Sequence, residues 1–146
     1  MPATAPRSPR VERGRIIARW VLAAAYLFVG CVHLAKPGIF LPIMPHWVPF
    51  PHATILLTGV CELAGAVALL NARWRRRAGI LLAAYAVCVY PANIQHAIND
   101  LTHGTGLGLA YHAPRLALQP LIVWWALFAG QVTGWPFARY SPASSR

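Results

Sequence analysis

The sequence predicts an all-α integral membrane protein, a four-helix bundle with an interfacial loop rich in proline and aromatic residues between helices 1 and 2. Three observations predict it. The 146 residues are 58% apolar. Only 11% are charged, where a soluble domain carries about 25%. The apolar residues fall into four runs of about twenty, and about 1.5 Å of rise per residue makes each run about as long as the hydrocarbon core of a bilayer is thick.

Residues 1–15 are rich in Pro, Ser, Ala and Arg and bury little apolar surface, so they predict a disordered basic tail. The first span is Ile16–Ala35, IIARWVLAAAYLFVGCVHLA. Its continuation past Cys31 argues against a cleaved signal peptide. Lys36–His52, KPGIFLPIMPHWVPFPH, holds five prolines and cannot form a regular helix. Trp47, Phe40 and Phe50 suit it to a membrane–water interface.

The second span is Ala53–Ala72, with Glu62 near its middle and Gly59 and Gly65 on either side, where small residues allow close helix contact. The arginine-rich turn NARWRRR follows at Asn71–Arg77. The third span, Ala78–Ile98, contains Pro91, which removes one backbone hydrogen bond and predicts a kink. Asn93, Gln95 and His96 come after it. Asn99–Ala113 is a loop containing GTGLG, which no strand precedes, so it is no dinucleotide fingerprint. The fourth span is Pro114–Val132, with Pro114 suited to a first turn and Arg115 and Gln119 sharing a face. Residues 133–146 predict a second disordered tail. The four-helix transmembrane domain is therefore residues 16–132.

Charge gives the orientation. The net charge is +10. Of thirteen Lys and Arg, all but Lys36 and Arg115 lie in the N-terminal flank, the middle turn or the C-terminal flank. The positive-inside rule then puts both termini in the cytoplasm of a bacterial cell, with the chain in the inner membrane. Because the positive residues sit beside apolar runs, they speak for the lipid bilayer as partner and against nucleic acid.

Polar residues inside the spans are the candidate site. A charge at mid-bilayer costs roughly 2.5–3.5 kcal/mol on insertion scales, so Glu62 needs compensation. By helix rise Glu62 lies about 15 Å deep, while His33, Asn93, His96, Arg115 and Gln119 lie within about 8 Å of the outer boundary. These six predict an outward-opening polar pocket with Glu62 at its floor. The same residues could instead fasten helices together, or handle protons or electrons; the sequence leaves all three readings open, and it assigns no catalytic residue. Direct contact between Glu62 and Arg115 is also left open. Cys31, Cys61 and Cys88 have neither CxxC nor zinc spacing and predict small buried hydrophobes. His46, His52, His103 and His112 are expected to be solvated loop residues, and no metal site is expected.

The runs GCVHLAKPGIF (Gly30–Phe40), MPHWVPFP (Met44–Pro51), GVCELAGAVALL (Gly59–Leu70), YPANIQHAI (Tyr90–Ile98) and RLALQP (Arg115–Pro120) resemble, in order, the DoxX-like family of small bacterial membrane proteins. The resemblance covers about residues 16–132. It implies four membrane helices, and, since some members are associated with thiosulfate or quinone redox chemistry, a redox-associated subunit binding a quinone. The family positions carried over are His33, Glu62, Pro91, Asn93, Arg115 and Gln119. Ala117 departs from the family's frequent proline, and no cysteine pair supports dithiol chemistry. The sequence shows no haem, flavin or iron–sulfur ligand set, so electrons would come from a partner membrane protein. A non-catalytic factor that stabilises or assembles another membrane protein is the alternative, and a small transporter whose path a homo-oligomer would supply fits least.

Overall fold

The computed structural model describes residues 9–104 and 106–137. They form α1 (Pro9–Ala35), a 3-10 helix (Pro37–Ile43), α2 (Pro51–Leu70), α3 (Arg75–His103) and α4 (Leu109–Ala129). There is no strand among the described residues. Three helices, α1, α2 and α3, are long and apolar enough to cross a membrane. α4 has 21 residues but is interrupted by Arg115, Gln119, Pro114 and Pro120, and it does not reach the same apolarity.

Several boundaries differ from the sequence expectation. α1 begins at Pro9, so residues 9–15, expected in a disordered tail, are helical. Proline tolerates a first helical turn, where its missing N–H has no intrahelical partner. The expected tails otherwise lie outside the described residues, apart from 133–137, which form turns after α4. α3 continues through Pro91 and runs five residues past Ile98, ending at Gly104 in the left-handed region (φ 64°). α4 starts at Leu109, so Pro114 sits in the second turn rather than the first and removes a hydrogen bond to the Ala110 carbonyl. The loop between α3 and α4 is thus much shorter than 99–113.

α1 packs mainly on α2 and α3 mainly on α4, while α2–α3 and α1–α4 contacts complete the arrangement. Glycines set the two main crossings. A Cβ on Gly59 would sit 2.8 Å from the His33 Cβ and 3.1 Å from the Gly30 carbonyl oxygen. A Cβ on Gly79 would sit 2.8 Å from the Gly130 Cα. The apolar core gathers Leu22, Leu69, Leu82, Ala126 and Ala129. Two buried arginines, Arg15 and Arg19, and the partly buried Arg75 close that end. Arg19 Nε donates to the Ala129 carbonyl at 3.0 Å, Arg15 Nη2 to the Thr133 carbonyl at 3.1 Å, and Arg75 Nη2 approaches the Leu70 carbonyl at 3.5 Å.

The three cysteines are exposed on the outer helix faces, not buried. In a run that is apolar all round, sequence does not say which residues face the neighbours.

Candidate functional site

The close α1–α2 crossing positions the first half of the site. His33 is three residues after Gly30 and Glu62 three after Gly59, so both share the crossing face of their helix. Glu62 is only 3% exposed. Its Oε1 accepts a hydrogen bond from Tyr85 Oη on α3 at 2.7 Å. Its Oε2 lies 2.9 Å from His33 Nδ1. That ring nitrogen is not aligned to donate to it, and it also approaches the Val29 carbonyl at 3.1 Å. The His33 ring stacks on Phe40 of the 3-10 helix, with centroids 3.9 Å apart and planes 15° from parallel. The proline-rich loop therefore holds one wall of the site. Tyr26 meets Tyr85 edge-on at 6.2 Å.

The second half is a ladder between α3 and α4. Asn93, His96 and Asp100 follow i, i+3, i+7 spacing on α3, and His112, Arg115 and Gln119 do the same on α4, so each set forms one stripe. Because the helices run antiparallel, the stripes pair rung by rung. Gln119 Nε2 donates to the Ala86 carbonyl at 2.6 Å, and Asn93 Nδ2 donates to Gln119 Oε1 at 3.3 Å. Arg115 Nη2 donates to Asn93 Oδ1 at 2.6 Å, and its Nη1 lies 2.9 Å from His96 Nδ1. His96 Nε2 and His112 Nε2 lie 3.2 and 3.0 Å from the same Asp100 oxygen, Oδ2. The Arg115 guanidinium also lies over the Tyr111 ring, 5.6 Å from its centroid.

Between the halves is a cavity of about 550 Å³ lined by residues of all four helices and the 3-10 helix. Five of the six predicted residues line it: His33, Glu62, Asn93, Arg115 and Gln119. His96 does not; it stands behind Arg115 as that residue's partner. Glu62 and Arg115 line the same cavity without an ion pair between them; each has its own neutral or histidine partners. Most of the lining is apolar, including Val29, Ile43, Ile55, Val89, Leu118 and Ile122. Such a site can donate hydrogen bonds to an oxygen-bearing, otherwise apolar molecule, and it has in Glu62 a carboxyl able to exchange a proton.

Sequence reasoning missed Tyr26, Tyr85, Thr58 and Tyr111, which also line the cavity. Tyr85 is two helical turns before Asn93, and that shared face was the available signal. Of the four histidines expected in loops, His52 lies in the first turn of α2, His103 ends α3, and His112 belongs to α4 and is only 1% exposed. The expectation of no metal-ligating set rested on chain spacing alone; in space His96, Asp100 and His112 bring one ligand-type atom each to within 4.8 Å of one another.

Residues 22–130 match the model of a family described as a domain of unknown function, DUF8561, and the chain belongs to that family. No curated protein and no solved structure matches it.

Proposed function

We propose that the chain is a multi-pass protein of the bacterial inner membrane, a bundle of four transmembrane helices with both termini cytoplasmic. Its outward-facing cavity binds a quinone-like lipophilic molecule, and the protein serves as a redox-associated subunit. The membrane reading is supported by polarity turned inside out. Arg15, Arg19, Glu62, His112 and Gln119 are buried, whereas Ile17, Trp20, Phe28, Leu57, Val67, Leu81 and Val87 are exposed. An apolar surface on that scale needs lipid or a partner to cover it. α4 joins the other three as a span because Gln119 is buried and Arg115 is paired to α3, so neither presents an unsatisfied group outward.

The observation that carries the ligand reading is the two polar clusters on one largely apolar cavity. A quinone is a flat apolar ring with a carbonyl oxygen at each end. Arg115 and Asn93 offer hydrogen-bonding groups on one side, and Tyr85, Glu62 and His33 on the other. Reduction of a quinone takes up protons, which the Glu62 cluster is placed to exchange. Electrons come from a partner, in keeping with the DoxX-like resemblance.

Mass spectrometry of the protein extracted from native membrane tests this. A near-stoichiometric prenylquinone is the expected result, reduced in Arg115→Gln and Glu62→Gln. A stoichiometric protein partner with no lipophilic molecule would instead favour a factor that assembles or stabilises another membrane protein.

A further inference from the structure

We propose that His96, Asp100 and His112 form a binding site for a divalent transition-metal ion of the Zn²⁺ class, and that the ion competes with Arg115 for His96. The metal site stands independently of the quinone reading.

The donor set is two imidazoles and one carboxylate, the mixture that suits Zn²⁺ and related ions and not Mg²⁺ or Ca²⁺, which prefer oxygen alone. His96 and Asp100 are one helical turn apart on α3, and His112 faces them from the first turns of α4. The two Nε2 atoms lie 3.2 and 3.0 Å from Asp100 Oδ2, and all three atoms fall within 4.8 Å. Tetrahedral Zn²⁺ with bonds of about 2.0–2.2 Å holds its donors about 3.3–3.5 Å apart. The two nitrogen–oxygen distances need only a few tenths of an ångström, and the two imidazole nitrogens, within 4.8 Å of each other, approach by on the order of 1 Å through rotation of the side chains. Two observations argue that the cluster is more than a solvated set of polar groups. His112 is fully buried, and its Nδ1 has no hydrogen-bond partner. Gly106 covers the carboxylate so closely that any side chain there would run into Asp100.

The competition follows from hydrogen count. A guanidinium only donates, so Arg115 Nη1 at 2.9 Å makes His96 Nδ1 an acceptor. The ring hydrogen is then on Nε2 and points to Asp100. A metal ion needs the Nε2 lone pair. Binding therefore moves the hydrogen to Nδ1, where it faces the Arg115 donor. The guanidinium must leave His96, and the side it turns to is the cavity that it already lines. Metal at the outer end of the helices thus resets the cation of the cavity wall.

The test uses purified full-length protein in detergent, titrated with Zn²⁺ and then with Mg²⁺, and read by calorimetry and by metal content after desalting. We expect one Zn²⁺ per chain and no Mg²⁺. His96→Ala and Asp100→Asn, both at partly exposed positions, should weaken Zn²⁺ binding by about tenfold or more. The variant with His46, His52 and His103 all changed to Ala should bind as wild type. Arg115→Met should bind several-fold tighter, because the competitor for His96 is gone. Nitrogen-15 imidazole spectra of wild-type protein give a second reading that needs no substitution: Zn²⁺ should move the His96 hydrogen from Nε2 to Nδ1. Absence of Zn²⁺ binding, or binding lost in the His46, His52 and His103 triple variant and kept in His96→Ala, overturns the site. Unchanged affinity in Arg115→Met together with an unchanged His96 tautomer overturns the competition.

Discussion

At the scale of single residues, the site depends on how a buried carboxylate is accommodated. Glu62 receives an aligned hydrogen bond from Tyr85 Oη and a close but unaligned approach from His33. Tyr85→Phe removes the aligned donor to Oε1 among the described residues. We expect a loss of about 1 kcal/mol, in the range of hydrogen bonds inside membrane proteins, and a coupling in the double-mutant cycle with Glu62→Gln. Reversible unfolding in mixed micelles measures both; additive effects of the two substitutions would mean that the bond carries no energy. The cysteines sit at the opposite extreme. Cys31, Cys61 and Cys88 are exposed on apolar faces, so changing all three to Ala should alter stability by no more than about 0.5 kcal/mol each and leave ligand retention intact. In membranes their thiols should react with a lipid-soluble maleimide and resist a charged one; the reverse order of reactivity would place those faces in water. Which of these residues the sequence reveals follows from contrast. Glu62, Asn93, Arg115 and Gln119 stand out because each is polar within an apolar run. Tyr26 and Tyr85 do not, because a tyrosine is at home in a core, at an interface or in a site.

At the scale of helices, two glycine contacts and two polar stripes determine who meets whom. Gly59 is where α2 touches the α1 backbone, and it carries the Glu62–His33 pair on the same face. Gly59→Ala would push against the His33 Cβ and the Gly30 carbonyl, neither of which is the end of a flexible side chain. A cost of about 1–3 kcal/mol is expected, with loss of ligand retention in the same variant. Gly14, in α1, has nothing within 4 Å of an added Cβ, so Gly14→Ala should stabilise the helix by up to about 1 kcal/mol. Melting temperatures that fall equally for both would refute the contact argument. The stripes were only half legible. The spacing of Arg115 and Gln119 shows in the sequence, but the rungs Arg115–His96 and Asp100–His112 depend on the short turn that begins α4 at Leu109. An expected loop of Asn99–Ala113 left His112 in solvent and hid that pairing. The arginines at the other end were similarly under-read. Arg19 and Arg75 count toward orientation by charge, yet they also meet the free carbonyls at the C-termini of α4 and α2, where a cation complements the helix dipole.

At the scale of the whole molecule, both the surroundings of the bundle and the contents of its cavity are open to direct measurement. The surroundings follow from polar groups turned inward and aliphatic and aromatic side chains turned outward. In a cysteine-free background, Arg76→Cys and His103→Cys lie at opposite ends of α3 and should label from opposite sides of the membrane, position 76 from the cytoplasm. Labelling from one side would contradict four spans. The proposed contents are a lipophilic carbonyl compound in the 550 Å³ cavity between the Glu62 cluster and the Arg115 ladder. The most direct test is the affinity of a short-tailed quinone for purified wild-type, Arg115→Gln and Glu62→Gln protein, with the melting temperature taken on the same samples. The account predicts saturable wild-type binding that weakens about tenfold or more in both variants, a change of at least about 1.4 kcal/mol, while the melting temperatures stay close to wild type. Binding that does not saturate, or that declines only in step with the melting temperature, would contradict it and leave the polar residues as fasteners between helices.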